Sequence, residues 1–180
     1  MIKKNLWLFF LLYIACENQS LMKHPLDKSQ SKTIVLDNEL KVYLLSDPDF
    51  NVSAASLAVD VGSLENPDNR LGLAHFLEHM LFLGTEKFPD VDEYSSYLKN
   101  NGGFSNAYTT TDHTNYQFQV LPDALEGAID RFAQFFIGPL FTEEYTAREV
   151  NAVNSEHQKN IMNDGRRSYR FSQLLSLIHI

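Results

Sequence analysis

The sequence predicts an α+β domain in which an antiparallel sheet packs with helices. Three observations support this fold class: short β-type runs alternate with longer helical segments, turn residues separate them, and the two kinds of segment occur in mixed order. The chain has 180 residues, the length of one domain, and its hydrophobic content of 44% is ordinary for a globular protein.

The first three predicted elements are strands, over residues 33–36, 40–45 and 52–61. These runs are rich in β-branched, small or aliphatic residues, and the first two read as short strands. Asp37 and Asn38 lie between the first two runs and favour a tight turn, so these strands are predicted to form a hairpin.

Two helices are predicted next. The first spans residues 71–83 and ends at Gly84, a natural helix C-cap. This segment is apolar almost all round, so we expect the helix to be buried. The second helix begins at Asp90 or Asp92 and runs through Leu98.

The remaining elements are a second strand pair and two further helices, over residues 104–111, 114–121, 122–136 and about 142–162. The two strands flank a turn at Asp112 and His113. Apolar residues recur at helical spacing in the third helix. Thr142 is a typical N-cap for the fourth helix, and two glutamates in its first turn suit the helix dipole.

The N-terminal segment has the pattern of an export signal. Two lysines precede a ten-residue apolar run at 6–15, which is shorter than the roughly 20 residues that span a bilayer. Cys16 follows this run directly, as in a bacterial lipobox. We therefore expect residues 1–16 to be a signal peptide and Cys16 to carry a lipid that tethers an exported protein to the periplasmic or outer-membrane side. Secretion after cleavage and an uncleaved N-terminal anchor are the alternatives.

The rest of the chain divides into three predicted parts. Residues 17–31 are polar and are predicted to be a tether. Residues 32–170 form the organised domain, which we expect to be incomplete. Residues 171–180 form a doubtful tail, because the chain stops within an apolar run without a helix cap. This ending suggests a truncated reading frame with a few foreign residues.

Charge and cysteine content exclude several classes of function. The chain has 15 Lys and Arg against 23 Asp and Glu, a net charge of −8, which argues against a nucleic-acid partner. A single cysteine, Cys16, excludes an intrachain disulfide and any metal site built from several cysteines. A metal ion would therefore be held by histidines and carboxylates.

The segment His75-Phe-Leu-Glu78-His79 is the main candidate functional site. At about 100° per helical residue, the two histidines and the glutamate fall on one arc of the helix. Imidazoles at positions i and i+4 bind one metal ion together, and a carboxylate at i+3 lies beside that ion. The alternative is a pair of hydrogen-bonded core histidines. Burial of three polar groups without partners would cost about 1–3 kcal/mol each, which favours a shared Zn²⁺.

A catalytic zinc site needs a third protein ligand and an open position for water. The last predicted helix carries Glu149 and Glu156, which lie about two turns apart and therefore face the same way. Either glutamate could complete a site of two histidines and one glutamate. Spacing alone leaves this choice open, and an exposed acidic helix face is the alternative.

Four longer motifs surround these residues, at 73–89, 104–116, 126–140 and 148–164. Together they resemble the M16 family of inverted-motif zinc peptidases, and most of all its insulysin–pitrilysin branch. The resemblance covers roughly residues 33–168. It implies the fold of the family's first homologous domain and the activity of a zinc metalloendopeptidase.

The resemblance also implies roles for the site residues. One Zn²⁺ per chain would be held by His75, His79 and Glu156, and Glu149 would support the metal site. Glu78 would be the catalytic base: it would take a proton from a zinc-bound water, whose pKa the metal lowers toward about 7, and return it to the leaving amine.

The resemblance further implies that Asn106 and Ala107 lie in an edge strand that pairs with the backbone of a peptide substrate. Three aromatic residues on the two strands, Tyr108, Tyr116 and Phe118, are candidates for lining side-chain pockets. For each of them a place in the core is at least as good an interpretation.

The leading hypothesis is a zinc metalloendopeptidase whose partners are peptide substrates and either missing C-terminal domains or a partner subunit. The alternative is a non-catalytic or partner-dependent binding subunit of the same family. The complete set of His75, Glu78, His79 and Glu156 argues against that alternative, because a non-catalytic subunit needs no such set. A smaller processing-peptidase relative is a third possibility.

Overall fold

The computed structural model describes residues 23–178. Within them it contains helices and antiparallel sheets in mixed order, so the predicted α+β class is confirmed. The predicted signal peptide with Cys16 and the first part of the predicted tether lie outside the described residues. None of the described helices is both long enough and apolar enough to cross a membrane.

The chain divides into two compact units, Met1–Phe50 and Asn51–Ile180. The first unit contains the predicted hairpin, formed by strands β1 (Gln30–Val35) and β2 (Lys41–Ser46). The Asn38 side chain accepts a hydrogen bond from the backbone N–H of Leu40 in the turn. This contact explains why an asparagine favours the turn there.

The second unit contains a three-stranded antiparallel sheet of β3 (Ser53–Val59), β4 (Phe104–Thr109) and β5 (Thr114–Val120). The strand order is β3-β5-β4, so β5 is the central strand and β4 lies at an edge of this sheet. The predicted pairing of the last two strands is therefore confirmed.

Five helices are described in the second unit: α1 (Leu73–Met80), α2 (Glu93–Asn100), α3 (Leu125–Ile137), α4 (Glu143–Ile161) and α5 (Asp164–Ile178). Helix α5 was not predicted as a helix. Its start is marked by Asn163, whose side chain accepts a hydrogen bond from the backbone N–H of Arg166. This N-cap signal is present in the sequence and was missed.

Helix α1 is shorter than the predicted range of 71–83. Gly72 immediately before it has a φ of 89°, a left-handed conformation in which the helix cannot start earlier. Gly84 also has a positive φ, of 91°, and a Cβ there would lie 2.6 Å from the carbonyl oxygen of Pro89. Gly84 therefore serves a tight turn after the helix.

The hydrophobic core lies between the sheet and helices α2 and α3. Strand β5 turns Tyr116, Phe118 and Val120 into it, and each of these is at most 3% exposed. Their neighbours are aromatic and aliphatic side chains of α2 and α3. Burial of each such side chain stabilises the fold by about 1.5–3 kcal/mol. Tyr116 and Phe118 are thus core residues.

The prediction that the helix at 71–83 is buried all round is wrong. Leu73 is 45% exposed and Leu77 is 43% exposed, whereas Glu78 and Met80 on the same helix are buried. A helix of eight residues is covered only where neighbouring elements reach it, and an apolar sequence does not show which side that is.

Candidate metal centre

Helix α1 holds His75 and His79 one turn apart, so that their rings lie one above the other on the same side. The ring centroids are 4.8 Å apart and the ring planes are nearly perpendicular, at 88°. The start of the helix is fixed by Asn66, whose Oδ1 accepts a hydrogen bond of 2.9 Å from the backbone N–H of Ala74. This bond satisfies one of the free amides of the first turn.

Helix α4 packs against α1 and brings Glu156 to the two imidazoles. Oε2 of Glu156 lies 3.7 Å from Nε2 of His75 and 3.8 Å from Nε2 of His79. The three side chains are 29–44% exposed, so the cluster is open to solvent. Its donor atoms therefore point at a common, accessible position.

Glu149 lies on the other side of His79. Its Oε2 is 3.2 Å from Nδ1 of His79, and its side chain is only 13% exposed. Because an ionised carboxylate has no proton to give, the imidazole Nδ1–H is the donor in this hydrogen bond. The structure thus separates the two glutamates: Glu156 faces the Nε2 atoms and Glu149 faces the opposite nitrogen of one ring.

The residues present fit a metal ion. His75, His79 and Glu156 each offer one donor atom, and all three atoms lie within 4.8 Å of one another. No other group of three such residues is found among residues 23–178. Two imidazoles and one carboxylate form a donor set that suits Zn²⁺ with one open position.

Glu78 lies beside this cluster but faces inward. It is only 7% exposed, and its Oε2 accepts a hydrogen bond of 2.6 Å from the hydroxyl of Thr109 on β4. Burial, and then the nearby charge of Glu78, raise the pKa of Tyr116 to about 12. The tyrosine is therefore neutral at ordinary pH and gives the carboxylate an uncharged neighbour.

The candidate substrate-binding residues lie on β4, outside the metal cluster. Asn106 and Tyr108 point to the exposed face of the strand, and Tyr108 is 44% exposed. Ala107 between them points to the covered face and contacts the core. Tyr108 also packs edge-on against the ring of His113, with a centroid distance of 5.8 Å.

Sequence analysis missed Thr109 as a residue of the site. The alternation of β4 places Thr109 on the same face as Ala107, which is the face toward α1. Positions 109–111 are three consecutive threonines, and the sequence does not show which one contacts Glu78. In the structure it is Thr109, the last residue of β4.

The chain is similar to a known family of proteins. The family model described as Insulinase (Peptidase family M16) matches residues 41–176. The insulin-degrading enzyme of Homo sapiens is 53% identical over 151 residues, which are 84% of this chain and 15% of that protein. The "Insulin-degrading enzyme-like 1, peroxisomal" protein of Arabidopsis thaliana is 49% identical over 87% of this chain and 16% of its own length.

A solved structure shows the same fold. The crystal structure of pitrilysin superposes with a TM-score of 0.75 and 42% sequence identity over 82% of this chain, and the match is 16% of the pitrilysin chain. The chain thus spans about 15% of the length of the curated relatives it matches.

The prediction of an exported bacterial lipoprotein is wrong. The relatives include a human enzyme and an Arabidopsis protein whose name places it in the peroxisome, and neither is a periplasmic lipoprotein. The prediction depended on a short apolar run after two lysines and on Cys16. Such a short pattern is weak evidence for the location of a protein, because many apolar N-terminal segments satisfy it.

Proposed function

The chain belongs to the insulinase family of peptidases, peptidase family M16, and we propose that it carries the zinc-binding and proton-accepting residues of a metalloendopeptidase. The observation that carries this proposal is the convergence of three donor atoms, from His75, His79 and Glu156, within 4.8 Å of one another. A buried carboxylate, that of Glu78, lies on the same helix beside them. This pairing of a metal donor set with a base suits hydrolysis of a peptide bond.

His75, His79 and Glu156 would hold the zinc ion, which would supply Lewis-acid chemistry at this site when bound. Glu78 accepts the proton of the attacking water and returns it to the nitrogen of the leaving amine. Its low exposure of 7% keeps bulk water away from the carboxylate.

Glu149 orients His79 for this task. The Nδ1–H of His79 donates to Glu149 at 3.2 Å, and the other ring nitrogen, Nε2, faces Glu156 at 3.8 Å. A carboxylate behind a ligating histidine fixes both the tautomer and the ring orientation. We therefore assign Glu149 a positioning role and Glu156 the role of third ligand.

The peptide substrate lies as an added strand against β4. Within residues 23–178, β4 pairs with β5 on one side only, so its other edge has backbone groups available for a peptide. Asn106 and Ala107 supply backbone groups for this pairing, and the exposed ring of Tyr108 contacts a substrate side chain. Further domains or a partner subunit complete the enclosure of the substrate.

The test is metal analysis and peptide cleavage with the complete protein that contains this chain. We expect one zinc ion per chain and cleavage of a quenched fluorescent peptide. His75→Ala should lose both, because it removes one of three donors. The matched control is His157→Ala, an exposed histidine on α4 outside the cluster, which should keep both. A His75→Ala protein with normal zinc content would contradict the proposed metal site.

The same assay tests the alternative of a non-catalytic or partner-dependent binding subunit. Wild-type protein that binds zinc and peptide but cleaves nothing would favour that alternative. Cleavage that requires zinc would exclude it.

A further inference from the structure

The hydroxyl of Thr109 reaches the buried carboxylate of Glu78 from the last position of β4. Its Oγ1 lies 2.6 Å from Oε2 of Glu78. The hydroxyl is the donor, because an ionised carboxylate only accepts. This distance is typical of a charge-assisted O–H···O⁻ bond, about 2.5–2.7 Å. Among residues 23–178 it is the hydrogen bond that the Glu78 side chain makes.

The position of the Thr109 hydroxyl is itself fixed. Its backbone pairs with Thr114 in the last rung of the β4–β5 ladder. The Thr114 hydroxyl donates to the carbonyl oxygen of Val61 at 2.8 Å and lies 3.3 Å from the Thr109 hydroxyl. The shorter contact with a charged acceptor is the stronger one, so the Thr109 proton is directed to Glu78.

We propose that Thr109 is a positioning residue for the general base: it holds one carboxylate oxygen of Glu78 and leaves the other, Oε1, to take the proton. This inference rests on the proposed function. It assigns different tasks to the two oxygens of one carboxylate, and these tasks follow from which oxygen already has a donor.

The same hydrogen bond connects two parts of the site. Glu78 lies on α1, whereas Thr109 lies on the strand that carries Asn106 and Ala107. The base is therefore fixed relative to the strand on which the peptide is proposed to lie. Errors of about 1 Å in such positioning cost on the order of 10²-fold in rate.

If Thr109 had a purely structural role, its loss would lower stability without a specific effect on turnover. A matched threonine elsewhere in the fold distinguishes this structural role from the positioning role. Thr85 is also buried, at 2% exposure, and its Oγ1 accepts a hydrogen bond of 3.1 Å from the backbone N–H of Phe88. Thr85→Val thus removes a buried hydroxyl whose hydrogen bond is with Phe88 and not with Glu78. Both valine variants should lose some thermal stability, but only Thr109→Val should affect turnover.

The experiment measures kcat, KM, zinc content and melting temperature for the complete, zinc-loaded protein and its variants. In Thr109→Val we expect kcat to fall about 10- to 100-fold, with KM within about twofold of the wild-type value and zinc content unchanged. Thr109→Ser retains the hydroxyl and should have kcat within about threefold of wild type. Thr85→Val should retain the wild-type kcat.

A Thr109→Val kcat within about threefold of wild type would overturn the inference and leave the proposed function intact. Wild-type protein that cleaves no peptide would overturn both. If Thr109→Val does not fold, Thr109→Ala takes its place beside Thr109→Ser. A low kcat in the alanine variant with a near-normal kcat in the serine variant supports the inference, and equal kcat values overturn it.

Discussion

Helices α1 and α4 both supply donors to the candidate metal centre, but they differ in how they are held. Helix α1 has buried Glu78 and Met80, and it contacts β4, β5 and the short helical turn at Ser63–Glu65. Helix α4 is longer, with 19 residues, yet none of them is buried, and its main contacts are with α1 and α5.

The site residues of α1 are therefore preorganised by packing, whereas those of α4 are held in part by their contacts within the site. The residues of α1 keep their positions because the surrounding packing fixes the helix. The carboxylates of α4 reach the site from a helix with little buried apolar area. Their contacts with His75 and His79, and any bound metal, therefore contribute a larger share of what holds α4 in place.

The largest expected effect tests the base on α1. Glu78→Gln in the complete protein should lower kcat by about 10²–10⁴-fold, because the amide cannot accept the proton of the attacking water. Zinc content should stay unchanged, as measured by metal analysis. Glu144→Gln, an exposed carboxylate in the first turn of α4, is the control and should behave as wild type. Parallel loss of zinc and activity in Glu78→Gln would make Glu78 a ligand instead.

The next effect tests the packing of α1 against that of α4. Met80→Ala removes a side chain that is 2% exposed and should lower the free energy of unfolding by about 2–5 kcal/mol. Val150→Ala on α4, where valine is 52% exposed, should change it by less than about 0.5 kcal/mol. Urea denaturation followed by circular dichroism measures both. Equal losses would show that α4 is packed as firmly as α1.

A smaller effect distinguishes the two glutamates of α4. Glu149→Gln should weaken zinc affinity by about 10–100-fold, the usual cost of losing the carboxylate behind a ligating histidine. Glu156→Gln should weaken it further, because it removes one of three protein ligands. Competition with a chelator of known affinity measures both. Normal zinc affinity in Glu156→Gln would move the ligand assignment to Glu149.

The smallest effect compares the two helices within one protein. Removal of zinc should speed amide hydrogen exchange in α4 by about tenfold and should change exchange in α1 much less. Exchange measured by mass spectrometry on peptides from Glu143–Ile161 and Leu73–Met80 gives both values. Similar changes in the two helices would show that the metal holds α1 and α4 to the same extent.

The elements that were predicted well depend on local patterns. The two hairpins, α3 and α4 were found from alternation, helical spacing and turn or cap residues, and their ends agree within a few residues. The start of α1 was wrong because Gly72 takes a left-handed conformation that an apolar run does not reveal. The start of α5 at Asn163 was a cap signal that was overlooked.

Within the site, the spacing of His75, Glu78 and His79 alone placed them on one helix. Helix geometry then puts the three side chains on one side of that helix. The choice between Glu149 and Glu156 could not be made in this way. Both glutamates share a face of α4, and only the way in which α4 docks on α1 sends one to the Nε2 atoms and the other to Nδ1 of His79.

The sequence by itself determined which side chains share a face, because the periods of 3.6 and 2 residues are properties of a single helix or strand. It therefore determined which residues form the proposed metal-binding pair and the proposed base, and which residues lie on the exposed face of β4. The tertiary structure alone decided that Thr109 contacts Glu78, that Leu73 and Leu77 are exposed, and that the two glutamates of α4 face different ring nitrogens. These facts depend on how elements that are far apart in the chain dock on one another. Many weak packing contacts together determine this docking, and no local sequence pattern encodes it.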